Sequence, residues 1–442
     1  MEALRITGGR PLTGRVGVAG AKNAALPILA ATLLADEPVS LAHIPRVSDV
    51  ATLCTLLEQL GLHITRHADQ INILPGPLGS RPAPSLVRKM RASFCVLGPL
   101  LARTSKAIVP LPGGCRIGDR PVDVHLRGLA ALGAQFRFER GYVIGQATQL
   151  RGARIDLAGP YGSSVTGTAN VLSAAVLAQG TSILTNAARE PEIEDLVHFL
   201  NRLGARIEGA GTSQLIVRGV SQLGGATHRI IPDRIEAATW LLAAAATHGR
   251  VQVDGLRVEH LDALLSLLHH SGANLQVTPH QVTLAAPCRL RSLSAEATPY
   301  PGLPTDVGPL WLAAMLTAGG PCHLRDRVFP HRTHHIAELR RLGGRIACTP
   351  QGIISQGVGG LSAATLRAAD LRGAAALALA ALAAQGVSTL RGAHLILRGY
   401  ADFTPKLHAL GAQIAPLPAV PRQATTTSDN GSRFPTIPAE VQ

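Results

Sequence analysis

Lysine is scarce in this 442-residue chain. Of 42 basic residues only Lys22, Lys89, Lys106 and Lys406 are lysines, so each raises the question of what an arginine could not do in its place. Aromatic residues make up 3% against 46% hydrophobic residues, which prescribes an interior of Ala, Leu and Val. No run of five or six basic residues occurs despite a net charge of +14, and no aromatics interleave with the arginines, so nucleic acid is not the expected partner. A distributed positive field suits small anions held in a cleft. The cysteines, Cys54, Cys95, Cys115, Cys288, Cys322 and Cys348, show no Cys-x-x-Cys and no zinc-like pairing with histidine. Reduced thiols and no bound metal are the expectations. The longest apolar run, residues 373 to 385, is too short to span a bilayer, and the first residues lack the apolar core of a signal peptide. No membrane partner and a cytoplasmic location follow as expectations. Neither a Walker-type loop nor a Gly-x-Gly-x-x-Gly after a strand occurs, so neither ATP nor a dinucleotide cofactor is expected.

A weak internal repeat is present. Amphipathic patterns end at Gly61, Gly133, Gly204, Gly272, Gly343 and Gly411, spaced 68 to 72 residues apart. A glycine there is the usual left-handed residue that ends a helix before a strand. A second, Ala-rich helix pattern opens near Lys22, Arg91, Thr166, Arg234, Asp306 and Arg372, apolar nearly all round and therefore buried. Alternating runs such as those at 182 to 185 and 214 to 217 read as strands. The chain is thus expected to be an α/β protein of six units of about 70 residues, grouped by its length into two domains, with helices inside and sheets outside. Lys22, Arg91, Arg234 and Arg372 open the buried helices, and Arg120, Arg332 and Arg398 open amphipathic ones. A cation at a helix N-terminus opposes the macrodipole, so each requires a compensating anion. After Gly411 the pattern stops, and residues 415 to 442, rich in Pro, Thr and Ser, read as a flexible tail.

The stretch 111 to 125, Leu-Pro-Gly-Gly-Cys-Arg-Ile-Gly-Asp-Arg-Pro-Val-Asp-Val-His, reads as a loop carrying reactive groups. Cys115 stands beside Arg116 and near Arg120, surroundings that lower a thiol pKa and suit an acid, a nucleophile or a ligand; a free surface thiol is the alternative. The other cysteines lie in apolar patterns and read as packing residues. Asp306, at a helix start after a Pro-rich loop, is either an N-cap or a general base, and Asp49 and Asp370 share that ambiguity. His334 and His335 follow Arg332 on a helix with no carboxylate at metal-ligand spacing.

Several motifs in register closely resemble the UDP-N-acetylglucosamine enolpyruvyl transferases: Gly-Ala-Lys-Asn from 20, Met-Arg-Ala-Ser from 90, the Cys115 loop, Ala-Arg-Glu-Pro-Glu-Ile from 188, Pro-Asp-Arg-Ile-Glu from 232, Pro-Thr-Asp from 304, Asp-Leu-Arg from 370 and Arg-Gly-Tyr from 398. The resemblance implies two inside-out α/β domains, residues 22 to 231 with a lid loop at 111 to 125, and residues 1 to 21 with 232 to 414. It implies transfer of the enolpyruvyl group of phosphoenolpyruvate, a co-substrate, to UDP-N-acetylglucosamine in peptidoglycan synthesis, with no separate cofactor. Cys115 would then be the general acid and Asp306 the base. Lys22, Arg91, Arg120, Arg332, Arg372 and Arg398 would hold phosphoenolpyruvate. Asn23, Arg91, Arg120, Pro121, Val122, Asp123, Val124, Ser164, Val165, Thr166, Asp306 and Val328 would hold the nucleotide sugar. Where the family usually has Thr-Asp-x-Gln-x-Gln this chain carries Gly308 and Leu310; Pro330, His331, Leu397, Ala401 and Thr166 also depart from its pattern. Those departures leave open a related uridine nucleotide such as UMP as acceptor, or a catalytically silent binding protein.

Overall fold

The Ala-rich stretches fold into helices enclosed on nearly every side, because small side chains let neighbouring helices and sheets approach closely. A computed structural model describes residues 2 to 113, 122 to 286 and 289 to 417. The buried helices are Lys22–Ala31, Leu97–Thr104 after the 3-10 segment Arg91–Val96, and Val165–Ala175 in one half; Arg234–Ala246, Gly308–Met315 and Leu371–Ala383 form the other set. The amphipathic helices Ser48–Gln59, Asp123–Ala131, Pro191–Arg202, Asp262–His270, Ile336–Arg341 and Phe403–Ala409 each end two residues before the glycine the repeat predicts. All six of those glycines have positive φ, between 79° and 110°.

One unit shows the pattern. Strand Arg154–Asp156 leads through the buried helix Val165–Ala175 to strand Thr181–Thr185, which lies parallel to it; helix Pro191–Arg202 then precedes the hairpin Arg206–Glu208 and Gln214–Arg218. The parallel pair requires the crossover helix, and the hairpin closes the sheet antiparallel to Thr181–Thr185. Five sheets of four strands repeat this order, and a sixth, of Lys106–Pro110, Tyr142–Gln146 and Gln135–Glu139, has three.

Two strands serve the opposite half from the helix they precede. Thr13–Gly17, which leads into Lys22–Ala31, pairs in parallel with Arg250–Asp254. Ala226–Arg229, which leads into Arg234–Ala246, pairs in parallel with Val39–Ala42. The two passes cross at a bridge between Gly20 and Pro232, with Ala21 N donating to Ile231 O at 2.7 Å and Asp233 N to Ala19 O at 2.9 Å. A Cβ on Gly20 would lie 1.7 Å from His43 O, so only glycine permits that crossing. One hydrophobic core draws on residues 4 to 18 and 235 to 414, the other on 21 to 231 together with Ala401.

The first and last described strands share a sheet, and this corrects the expected tail at residues 415 to 417, while 418 to 442 lie outside the described residues. Ala3–Gly8 pairs with Gly386–Arg391 on one side and Gln413–Leu417 on the other, so residues 415 to 417 are an edge strand. Ile414 is buried, and Pro416 is tolerated because an edge strand need not donate on both sides. Two helix assignments also shift. Arg332 stands four residues before Ile336–Arg341, with His335 as the cap, and Arg398 ends the 3-10 turn Ala393–Arg398 ahead of Phe403–Ala409. Cys54, Cys95 and Cys322 are packed inside as expected, whereas Cys348 is exposed on strand Arg345–Thr349. Among the described residues no helix is long and apolar enough to cross a membrane.

Candidate active site

A cavity of about 320 Å³ opens where the first turns of the buried helices converge, within the range of small-molecule sites. Lys22 and Asn23 enter it from the start of Lys22–Ala31, Arg91 from the start of Arg91–Val96, and Val165 and Thr166 from the first turn of Val165–Ala175. Ser164 caps that last helix, its Oγ accepting from Gly167 N at 3.1 Å, and Thr166 Oγ1 lies 3.3 Å from His125 Nε2. Asp123 and Val124 contribute from the first turn of Asp123–Ala131. Helix N-termini offer unsatisfied N–H groups and the positive end of the macrodipole, so this wall favours an anionic ligand.

The anions that the arginines require come from carboxylates in the same cavity. Asp49, in the first turn of Ser48–Gln59, receives Lys22 Nζ at 3.1 Å and Arg398 Nε at 2.9 Å, which joins the two halves of the chain. Asp306 accepts from Arg332 Nη1 at 3.0 Å and from Arg372 Nε at 3.1 Å. Burial pushes the Asp306 carboxyl toward neutrality, but Arg372 and then Arg332 outweigh it and hold it far below the usual carboxylate range. Arg332 also comes within 3.6 Å of Asp370, whose carboxylate caps Leu371–Ala383 through Arg372 N and Gly373 N. Arg372 is 1% exposed, its guanidinium 5.0 Å from the Tyr400 ring centroid and its Nη1 and Nη2 buried without an acceptor among the described residues. Four cations thus surround two carboxylates, and an arriving dianion would exchange these internal partners for stronger ones.

Of the residues singled out in the sequence, Lys22, Asn23, Arg91, Asp123, Val124, Ser164, Val165, Thr166, Asp306, Val328, Arg332, Arg372 and Arg398 all line this one cavity. Val122 instead packs against the core drawn from residues 21 to 231. Cys115, Arg120 and Pro121 lie outside the described residues. The cavity also holds Glu190, Glu192, Arg234, Thr298 and Tyr300, which were not proposed as site residues. Arg234 was legible as a helix-start cation, and the two glutamates sat in a quoted motif, but no spacing rule links residue 190 to residue 300. Among the departures from the family pattern only Thr166 reaches the cavity. Gly308 and Leu310 are buried in helix Gly308–Met315, and Ala401 packs into the opposite core.

Comparison with known proteins agrees with this geometry. Residues 6 to 407 match the family model described as EPSP synthase (3-phosphoshikimate 1-carboxyvinyltransferase). The chain is 43% identical over 421 residues to UDP-N-acetylglucosamine 1-carboxyvinyltransferase of Akkermansia muciniphila, covering 95% of this chain and 99% of that one. It is 44% identical over 416 residues to the protein of the same name from Trichlorobacter lovleyi, covering 94% and 99%. Among solved structures, the enolpyruvyl transferase NikO from Streptomyces tendae superposes with a TM-score of 0.85 at 27% identity, over 94% of this chain and 98% of that one. EPSP synthase from Acinetobacter baumannii shares the fold at a TM-score of 0.71 and 19% identity, over 94% and 100%. With a family match running nearly end to end over a cavity built for anions, the chain belongs to the EPSP synthase family and is an enolpyruvyl (1-carboxyvinyl) transferase.

Proposed function

We propose that the protein transfers the enolpyruvyl group of phosphoenolpyruvate to the 3-hydroxyl of UDP-N-acetylglucosamine, releasing phosphate, in the first committed step of peptidoglycan synthesis. The observation that carries this reading is the cluster of Lys22, Arg332, Arg372 and Arg398 around Asp49 and Asp306 in one cavity, with two Arg372 nitrogens still unpaired. The carboxylate and phosphate of phosphoenolpyruvate match that set of donors, and the uridine nucleotide matches the helix starts at Asp123 and Val165.

Chemistry then needs one proton delivered and one removed. Protonation of the methylene carbon, assigned to Cys115, makes the adjacent carbon electrophilic, and the sugar oxygen attacks it as its own proton leaves toward Asp306. Loss of phosphate and of a methyl proton from the tetrahedral adduct gives the enol ether. Tied to two guanidiniums, Asp306 is a weak base; phosphoenolpyruvate drawing Arg332 and Arg372 toward itself would raise its proton affinity when the acceptor is in place. The relatives' names support UDP-N-acetylglucosamine as acceptor, and the departures at Gly308, Leu310 and Ala401 do not touch the cavity. The deciding experiment is phosphate release from phosphoenolpyruvate with UDP-N-acetylglucosamine and, in parallel, UMP. Turnover with the nucleotide sugar is expected, and turnover with UMP alone would transfer the assignment to a different acceptor. A phosphoenolpyruvate-like epoxide should inactivate the wild type and spare Cys115→Ser.

A further inference from the structure

One part of the cavity wall carries polar atoms that this mechanism leaves unused. Arg234 opens helix Arg234–Ala246 and is 8% exposed. Its Nε and Nη2 bind Glu192 at 3.0 and 3.1 Å in a bidentate pair, while Nη1 is buried with no acceptor among the described residues. Glu190 precedes helix Pro191–Arg202. Its carboxylate meets its own backbone N–H, its Oε1 lies 3.5 Å from Tyr300 N, and its Oε2 is buried with no donor among the described residues. Tyr300 joins the two, since its ring lies 5.5 Å from the Arg234 guanidinium carbon. All four residues line the cavity, Glu190 and Glu192 from the half whose core spans residues 21 to 231, Arg234 and Tyr300 from the other.

A buried donor and a buried acceptor without partners, on two side chains that interact electrostatically in the wall of one cavity, are costly unless a ligand satisfies both. The charges restrict that ligand. Glu192 already neutralises Arg234, so a phosphate would meet the Glu190 carboxylate with no free positive charge to offset it. An ammonium would meet the Arg234 guanidinium. A neutral group that donates and accepts at once fits both atoms.

We infer that Glu190 Oε2 and Arg234 Nη1 form a subsite for the hexose of the acceptor, taking one hydroxyl or the acetamido group, which donates to Glu190 and accepts from Arg234. This rests on the reading of the acceptor as a nucleotide sugar and adds the residues that select its sugar.

The test measures phosphate release and equilibrium binding for the wild type, Glu190→Ala and Glu190→Gln. The acceptors are UDP-N-acetylglucosamine, UDP-glucose, which lacks the acetamido group, and UDP-N-acetylgalactosamine, in which one hydroxyl is inverted; UMP, without a hexose, is the binding control. Glu190→Ala is expected to lower kcat/KM for UDP-N-acetylglucosamine by about 10-fold to 100-fold, with Glu190→Gln intermediate because it keeps an oxygen acceptor. Affinity for UMP should change by less than about twofold. The wild type's preference over UDP-glucose or over the galacto epimer should collapse in Glu190→Ala, and which one collapses tells acetamido from hydroxyl. Equal losses for UMP and the nucleotide sugar would mean a structural role and overturn the inference, as would an unchanged preference among sugars. If Glu190→Ala melts early, Glu190→Gln decides by the same ratios. No turnover of UDP-N-acetylglucosamine by the wild type overturns the functional reading itself, and the subsite with it; turnover without any effect at Glu190 overturns the subsite alone.

Discussion

Asp306 shows how one side chain can be both a structural counter-ion and a reactive group. It joins Arg332 to Arg372, yet it is 24% exposed in its side chain toward the cavity, so it can exchange those partners for substrate. Asp306→Asn keeps the shape and removes the base. kcat is expected to fall by about 10²-fold or more in the phosphate-release assay, with phosphoenolpyruvate binding retained. His335 is a different case, a buried imidazole with neither ring nitrogen partnered among the described residues. Burial holds its pKa down at about 4, with Arg332 and His334 adding to the effect against the pull of Asp370. Between about 6.5 and that value the unfolded chain binds a proton that the folded one refuses, so stability falls as pH falls through this window. Denaturation at pH 7 and pH 5 should show the wild type losing about 2 kcal/mol more than His335→Leu. The sequence put both residues near arginines but could not tell a cavity carboxylate from a cap, nor a buried imidazole from a surface one, because burial is set by distant segments.

At the level of the element, the six C-terminal glycines were legible because a left-handed residue is required wherever a helix turns directly into a strand. At Gly343 a Cβ would meet nothing within 4 Å, so Gly343→Ala carries only backbone strain, about 1 kcal/mol by urea denaturation. Gly20 has no positive φ and no repeat position to mark it. Its added Cβ would collide with the His43 carbonyl at the crossing of the two halves, and Gly20→Ala is expected to cost more than about 3 kcal/mol or to abolish folding. The starts of the buried helices were also legible to within a residue or two, except where a 3-10 turn intervenes before Leu97; of the amphipathic ones, Arg332 lies four residues early and a 3-10 turn separates Arg398 from Phe403. Local hydrogen bonding chooses between 3-10 and α geometry over a few residues, and apolar periodicity does not resolve it.

Across the whole molecule, closure depends on strands far apart in the chain. Ala3–Gly8 is an inner strand between Gly386–Arg391 and Gln413–Leu417, so the first and last described strands stabilise each other. Ending the chain at Ala412 removes that edge strand and exposes Ile6 and Leu4, and the melting temperature should fall by several degrees. The net charge of +14 and the cation cluster in the cavity give an ionic-strength signature. KM for phosphoenolpyruvate is expected to rise several-fold from 50 to 500 mM salt as screening shortens the reach of the field.

The repeat, the buried Ala-rich helices, the glycine helix ends and the set of cations and carboxylates were determined by the sequence alone, because periodicity, turn chemistry and helix-end charge are local properties. Tertiary structure decided the rest. Two strand exchanges about Gly20 and Pro232 fix which half each terminal segment serves, and only the convergence of helix starts from both halves turns separate arginines into a site around Asp49 and Asp306. The Glu190, Arg234 and Tyr300 corner belongs wholly to that level. Its residues are brought together by packing across the cleft, and what marks them is two unpaired buried atoms, which exist only once the chain has folded.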